Sequence, residues 1–544
     1  MRRSIRATVV FGLLACISAA YLYLQFVRYP FAGDSVAGNF RVRYAVGQGK
    51  EQSLIRESYS APGRGDSPVD AVLVSDWEVL LVLPPAATLS GDRCLFQNGA
   101  FSPVRPFGVL FPSNRTTARC KLPRSVRRLS PFRQPILVTE SVAVPFPADR
   151  PELLRWSFLV YEALPTASDV VVFAKGLNSR QGVNFPTDEL RCVFGDESGP
   201  GGIAYTRVVS SYQEVFRCLP PPPGVYGKVS LDVGGRIMPS VAYYRPPLQE
   251  ASPSTASGGY EHELCASTMV FNVGKFLKEW VMYHSFLGVD RFVLYDNGSE
   301  DDTERIVAED LADYNVTRIL WPWPKTQEAG FSHSAASVWG SSCKWTMFID
   351  VDEFFFSPTW ANLTSPRNAL RELVSATGSD EEVGQIQARC IEFGPSGQKK
   401  HPPAGVMQGY DCRRRAEQRH KSIVRAGALA ESLLNVVHHF ELRDGFETSV
   451  LEREVGSVHH YKYQAWSEFR AKFRRRVSAY VVDWRQSKNL SSKDRTPGLG
   501  SEPVEPPGWP AKFCEVRDLR LKEFSQRWFG TETESGLKTV WEDK

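Results

Sequence analysis

Asp350, Asp352 and Glu353 close a mostly apolar run, Trp345, Met347, Phe348 and Ile349, inside the stretch from Cys343 to Phe356. The run has the length of a buried strand, and residues two apart on an extended chain point the same way. Asp350 and Asp352 are therefore placed to grip one hard cation from one side. Mg2+ or Mn2+ held there would bridge to the diphosphate of a sugar nucleotide and neutralise the charge that develops as the sugar leaves. An isolated Asp-X-Asp also occurs in solvated turns. The apolar strand before this one and Phe354 to Phe356 after it set it apart, because exposed turns are seldom flanked in that way. Far downstream, His459-His460-Tyr461-Lys462 supplies a neutral imidazole able to complete a metal shell. Lys462 and the cluster Arg470, Lys472, Arg474, Arg475 and Arg476 supply positive charge for a diphosphate. Most of that cluster reads as one solvated helix face, with room for one member to turn inward.

The elements that must position these groups alternate from Glu261 onward. Leu264 to Phe271 is expected as a strand. Phe276, Leu277, Trp280, Val281 and His284 fall at helical spacing, with Gly288 as the stop. Strands are expected at Arg291 to Tyr295 and Arg318 to Trp321, with helices over Glu304 to Tyr314 and Gln327 to Ser342. Such alternation predicts a parallel α/β sheet with ligands beyond the C-terminal strand ends, where Asp296 and Asp350 both fall. Asp296 suits hydrogen bonding to a uracil or ribose, since an ionised carboxylate is an acceptor only. An Asx-type loop with a helix N-cap over Asn297 to Asp302 is the equal alternative. Asn297 carries a sequon but is expected in the donor site and unused.

Between residues 65 and 249 the chain shows short β-branched or alternating runs broken by Pro and Gly, such as Val79 to Leu83, Asp169 to Phe173 and Lys228 to Val233. They predict one or two antiparallel sandwiches, ahead of a polar linker from Glu250 to Gly259. Trp77, Trp156 and Tyr161 are read as core aromatics, with stacking on sugar faces as the alternative. Cys94 and Cys120 share their separation and flanks with Cys192 and Cys218, which predicts a degenerate repeat clipped by two disulfides. Five cysteines follow, so at least one is unpaired, and Cys390 with Cys412 is the expected further bridge. Sequons at Asn114, Asn315, Asn362 and Asn489 are expected to be glycosylated.

The N-terminus reads Met-Arg-Arg-Ser-Ile-Arg and is followed by an uncharged run from Ala7 to Val27, long enough for one membrane-spanning helix. The flanking arginines place residues 1–6 in the cytosol and everything after Arg28 in the lumen, with 28–64 as a stem. A cleaved signal peptide ending near Ser18 to Ala20 is the competing reading. A chain of 544 residues should hold two to four domains, and a net charge of +4 does not argue for nucleic acid.

Asn272 to His284, Gly288 to Ser299, Phe348 to Phe354, Phe393-Gly-Pro-Ser-Gly397, Lys421-Ser422 and His460-Tyr461-Lys462, in that order, resemble glycosyltransferase family 92 over residues 261 to about 480. The β-rich N-terminal region and the anchor resemble its plant branch, the β-1,4-galactan synthases. The resemblance implies a Rossmann-like GT-A domain over residues 260–500, with 501–544 as a C-terminal extension. It also implies UDP-galactose as donor, Mn2+ as metal with Mg2+ as the alternative, and residence in the Golgi membrane. Among the histidines it singles out His460 as the metal ligand beside Asp350 and Asp352, with Asp296, Asn297, Asp350 and Lys462 on the donor. The implied partners are a β-1,4-galactan or galacto-oligosaccharide acceptor and, if the chain dimerises, a second copy.

An inverting transfer needs a base to take the proton from the acceptor O4. Glu392, after the expected strand Val383 to Ile391, is the first candidate, Asp411 the second, and Glu353 serves if the strand end turns. A family member with another donor sugar or acceptor is the runner-up, because motifs do not display pocket shape. A metal-dependent hydrolase lacks the extra His and Asp ligands here. A catalytically inactive wall-glycan-binding protein would be expected to have lost Asp350, Asp352 or His460, and all are present.

Overall fold

A computed structural model describes residues 69–542, apart from 75–76, 140–144, 180–182, 198, 200, 247–258, 338–341, 437, 479–504 and 535. The expected tail, anchor and stem, Asn489 and most of the linker lie outside the described residues. Among the described residues no helix is long and apolar enough to cross a membrane.

The apolar runs after Glu261 form β1 (His262–Val270), β2 (Arg291–Asp296), β3 (Val316–Leu320) and β4 (Cys343–Phe348). These four are parallel and lie side by side in the order β3-β2-β1-β4. Their shared register puts Val270, Asp296 and Leu320 level at one edge of the sheet. Helix α1 (Gly274–Phe286) buries Phe276, Leu277, Trp280, Val281 and His284, the residues whose spacing predicted it. It stops where Gly288 takes φ 104°.

The helix expected over 304–314 is replaced by one turn, Thr303–Arg305, and a π-turn, Ile306–Asp310. The Leu311 N–H reaches back to the Ile306 carbonyl at 2.9 Å. That wider turn brings Ile306 and Leu311, five apart, into the same core, which an α-helix would not do. The helix after β3, α2, is also shorter than expected and spans Gln327–Ala336.

Beyond β4 the sheet becomes mixed. It runs through β5 (Glu353–Phe356), β6 (Val383–Glu392), β7 (Gln418–Arg425) and β8 (Ser457–His460) in the order β4-β7-β6-β8-β5. Helix α3 (Trp466–Ser478) follows β8. The 501–544 segment is no appendage. Its helix α4 (Arg520–Phe529) puts Leu521, Phe524 and Phe529 into the same core as Trp280 and Phe354.

The N-terminal region departs from the expectation of separate sandwiches. Strands Arg105–Leu110, Arg115–Lys121, Glu78–Val82 and Asp70–Leu73 continue the same sheet outward from β3, joined where Leu110 pairs with Leu320. Residues 159 to 244 form a second, largely antiparallel sheet of eight strands. Its Tyr161, Val171, Phe173 and Val215 share one core with Val82, Leu110, Tyr295 and Trp321. Apolar side chains on both sides of that junction exclude water together, so no boundary forms between the sheets.

Disulfides join Cys94 to Cys120 and Cys192 to Cys218, each across a separation of 26 residues, and Cys265 on β1 to Cys343 on β4. The expected Cys390–Cys412 bridge is absent: Cys412 bonds to Cys514, and Cys390 is buried and free on β6. Cys412 pairs through its backbone with Arg517, which brings the C-terminal segment rather than Cys390 beside it.

Candidate active site

The chain turns between β4 and β5, and the Asp-X-Asp sits in that turn rather than on an extended strand. The Glu353 N–H bonds the Asp350 carbonyl at 3.0 Å, and the Asp350 N–H bonds Glu353 Oε2 at 2.8 Å. Asp350 and Asp352 both line one cleft. Their immediate partners differ. Asp350 Oδ2 is 3.1 Å from Lys421 Nζ, and its Oδ1 accepts from Gln327 Nε2 at 3.1 Å. Asp352 pairs with Lys472 and lies 3.7 Å from His460 Nε2.

Strand register explains the assembly. β8 lies between β5 and β6, so His460 stands opposite Glu353 on one side and Glu392 on the other. Its Nδ1 is 3.4 Å from Glu353 Oε1, longer than a good hydrogen bond, and its buried Nε2 has no hydrogen-bond partner. Burial, joined by Lys472, Lys421 and Lys462, holds His460 well below the ordinary histidine range, so the ring is neutral. β7 delivers Lys421 beneath the turn, 2.9 Å from Glu353 Oε2 and beside His438. Burial opposes the ammonium, yet Asp350 and Glu353 together hold its pKa above the ordinary value. Burial likewise raises Asp350, but the ammonium groups of Lys421 and Lys472 outweigh it and keep the carboxyl ionised. For Glu353, burial and the two aspartates win over Lys421 and push it up to about 7.

The donor set suits a hard divalent cation. Asp352 Oδ2 and His460 Nε2 face each other, and the unbonded Nε2 of a neutral imidazole is the form that coordinates a metal. Among the described residues no three His, Cys, Asp or Glu side chains already converge as a metal cluster. Lys472 and Lys421 supply the countercharge to the two aspartates in this conformation.

Other residues singled out from sequence lie elsewhere. Asp296 is fully buried. Its Oδ1 accepts from Gly298 N, Ser299 N and Ser299 Oγ at 3.0, 2.8 and 2.8 Å, and its Oδ2 pairs with Arg318 at 2.8 Å. Oδ1 is spent on the loop and Oδ2 on Arg318 of β3, the arrangement of the Asx-loop alternative. Asn297 lines the cleft but commits its amide to the Trp321 and Trp323 carbonyls at 2.7 and 3.1 Å. Gly298 next to it takes φ 86°, and a Cβ there would lie 2.1 Å from the Phe107 ring, so the loop abuts the N-terminal region.

Glu392 is clamped between Lys462 and Arg414, 3.2 Å away on the second side, and lies off the cleft. That corrects both the base expectation for Glu392 and the donor role of Lys462, whose ammonium is turned to Glu392. Asp411 is 3.5 Å from Arg517 and its N–H bonds Ser396 Oγ, so it belongs to the junction with the C-terminal segment. Glu353 is completely buried beneath the turn. None of the three lines the cleft, whereas Glu468 on α3 does. Asn114, Asn315 and Asn362 are exposed.

Sequence reasoning gave no role to Lys421, His438 or Gln327, whose partners are remote in the chain. Among the described members of the basic cluster, Lys472 turns inward, to Asp352. The cleft has a volume of about 1990 Å3 and lies between the turn and α3 on one side and the N-terminal strands on the other.

The model of glycosyltransferase family 92 matches residues 260–493. A family 92 protein of Ricinus communis is 38% identical over 496 residues, covering 87% of this chain and 85% of its own. Family 92 proteins of Arabidopsis thaliana and Oryza sativa subsp. japonica are 44% and 42% identical, covering 68% and 69% of this chain and 66% and 67% of theirs. Among solved structures, S. aureus TarS 1–349 aligns at 12% identity with a TM-score of 0.24, over 37% of this chain and 60% of that one. Glucosyl-3-phosphoglycerate synthase of Mycobacterium tuberculosis, in complex with Mn2+ and UDP-glucose, aligns at 16% identity with a TM-score of 0.19, over 30% and 57%.

Proposed function

The chain belongs to glycosyltransferase family 92, and we propose that it transfers galactose from UDP-galactose to O4 of β-1,4-galactan chains with inversion, in the Golgi lumen. The observation that carries the reading is the turn after β4, which sets Asp350 and Asp352 on one open cleft beside a neutral, unbonded His460 Nε2. The parallel order β3-β2-β1-β4, with the carboxylates just past the end of β4, supports a GT-A arrangement.

Asp350, Asp352 and His460 would hold Mn2+ or Mg2+, which when bound supplies positive charge to the departing diphosphate. The protein's own groups do the rest. Lys421, with His438 behind it, keeps Asp350 ionised and fixed, and Gln327 orients its second oxygen. Lys472, on α3, brings an ammonium to the same wall, where it can follow the diphosphate. The acceptor hydroxyl attacks C1 from the side opposite UDP, and a carboxylate lining the cleft takes its proton. UDP leaves as the anion.

The test incubates the full chain with Mn2+, a short β-1,4-galactan acceptor, and UDP-galactose or UDP-glucose in parallel, with chain extension read by mass. Extension with UDP-galactose alone is expected. Extension only with UDP-glucose would keep the mechanism and replace the donor, and binding of the acceptor without any extension would favour the inactive glycan-binding protein.

A further inference from the structure

The wall of the cleft that faces the Asp-X-Asp turn comes from the N-terminal strands, and it is basic. Arg105, Arg119, Lys121, Arg124 and Arg127 line it against one acid, Glu78. Glu78 is already shared, 2.8 Å from Arg105 and 3.4 Å from Arg119. Among the described residues, Lys121, Arg124 and Arg127 pair with no carboxylate. Burial, and then the neighbouring Arg124, hold Arg127 below its ordinary pKa, and its Nε donates to the Leu122 carbonyl at 3.1 Å.

Aromatic surface accompanies the charge. The Arg127 guanidinium lies 4.7 Å over the Trp77 ring, and Trp77 itself takes φ 61°, a conformation costly for a bulky residue. Phe101 on the same wall is half exposed. Trp77 is backed by the N-terminal core and Phe101 presents its ring to the cleft, so aromatic surface for a sugar face stands beside the cations. Across the cleft Lys275 and Lys472 are each matched by a carboxylate, Glu468 and Asp352, and Glu300, Asp301, Asp302 and Asp350 also line it. The volume of about 1990 Å3 also exceeds the roughly 300–1,000 Å3 of a small-molecule site, which leaves room for several sugar units beside a nucleotide sugar.

We propose that this wall is an acceptor subsite for a glycan bearing carboxylates, with Lys121, Arg124 and Arg127 pairing with uronate residues a few units from the reacting hydroxyl and Trp77 stacking on a sugar face. The inference rests on the transferase reading and deepens it. A purely neutral chain would leave three cations uncompensated in a cleft that it partly dehydrates, whereas a uronate-bearing chain satisfies them. A diphosphate is the other anion at hand, but its counter-charges would be the Lys472 ammonium and the cation that Asp350, Asp352 and His460 would hold, on the opposite wall.

The full chain is titrated calorimetrically with a short oligogalacturonide, with a neutral β-1,4-galacto-oligosaccharide of equal length, and with UDP. The acidic oligomer is expected to bind about tenfold more tightly than the neutral one, with the preference shrinking as salt is raised. The Lys121→Gln/Arg124→Gln/Arg127→Gln variant is expected to lose that preference and to keep its affinity for UDP. Arg124→Gln alone, at an exposed position, should show part of the loss with an unchanged unfolding midpoint. Equal binding of the two oligomers by the unaltered chain would overturn the subsite, and so would a parallel loss of UDP affinity in the variant. If the acidic oligomer binds with the expected preference but the chain-extension assay with UDP-galactose or UDP-glucose yields no product, the transferase reading falls and the subsite stands.

Discussion

Lys421 carries the electrostatics of the turn. It is buried, and its ammonium serves both Asp350, at 3.1 Å, and Glu353, at 2.9 Å. Removing one partner of a buried ionic cluster leaves charge without compensation and costs about 3–5 kcal/mol. Lys421→Met is therefore expected to lower the denaturant midpoint by a corresponding amount, and saturating Mn2+ should restore more stability to the variant than to the parent. An unchanged midpoint would mean that the carboxylates are neutralised by another group. Lys421 was visible in the sequence as part of a motif, but its role was not. Its partners lie about seventy residues away, and only the antiparallel register of β7 on β4 brings them together. Lys462 shows the opposite error. Nearness in sequence to His460 gave it a donor role, yet it points to Glu392.

At the level of elements, periodicity was a sound guide wherever one face is buried against the sheet. α1 and the parallel strands fall within a few residues of their expected spans for that reason. It was a poor guide to Ile306–Asp310, where the π-turn answers a core that sequence spacing does not display. α1 also carries a second device. Its Glu279 carboxylate accepts from Val406 N and Met407 N at 2.8 and 2.9 Å, holding the first turn of the helix Val406–Gly409. Burial outweighs those bonds and pushes Glu279 from 4.5 up to about 8. In that window the folded chain keeps a proton that the unfolded chain has lost, so this group's contribution to stability falls as pH rises. Glu279→Gln should flatten the pH dependence of unfolding between about pH 5 and pH 8 relative to the parent. Parallel slopes would show that Glu279 is ionised in the fold.

At the scale of the whole molecule, the β-rich N-terminal region was legible as strands and as two disulfides of equal span, but not as part of the catalytic sheet. A strand's partner depends on apolar faces far apart in the chain, here Val82 and Leu110 with Tyr295 and Trp321. That fusion makes the N-terminal strands one wall of the cleft and the Asp-X-Asp turn the other, so side chains of both regions line a single cavity. The direct test of the proposed metal-dependent transfer is sugar transfer from UDP-galactose by the parent and by Asp352→Asn, each with Mn2+ and with chelator, alongside their unfolding midpoints. The parent should transfer only with Mn2+, and the variant should be inactive in both conditions while still folded. Transfer by the parent in chelator, or by Asp352→Asn at the parental rate, would contradict it.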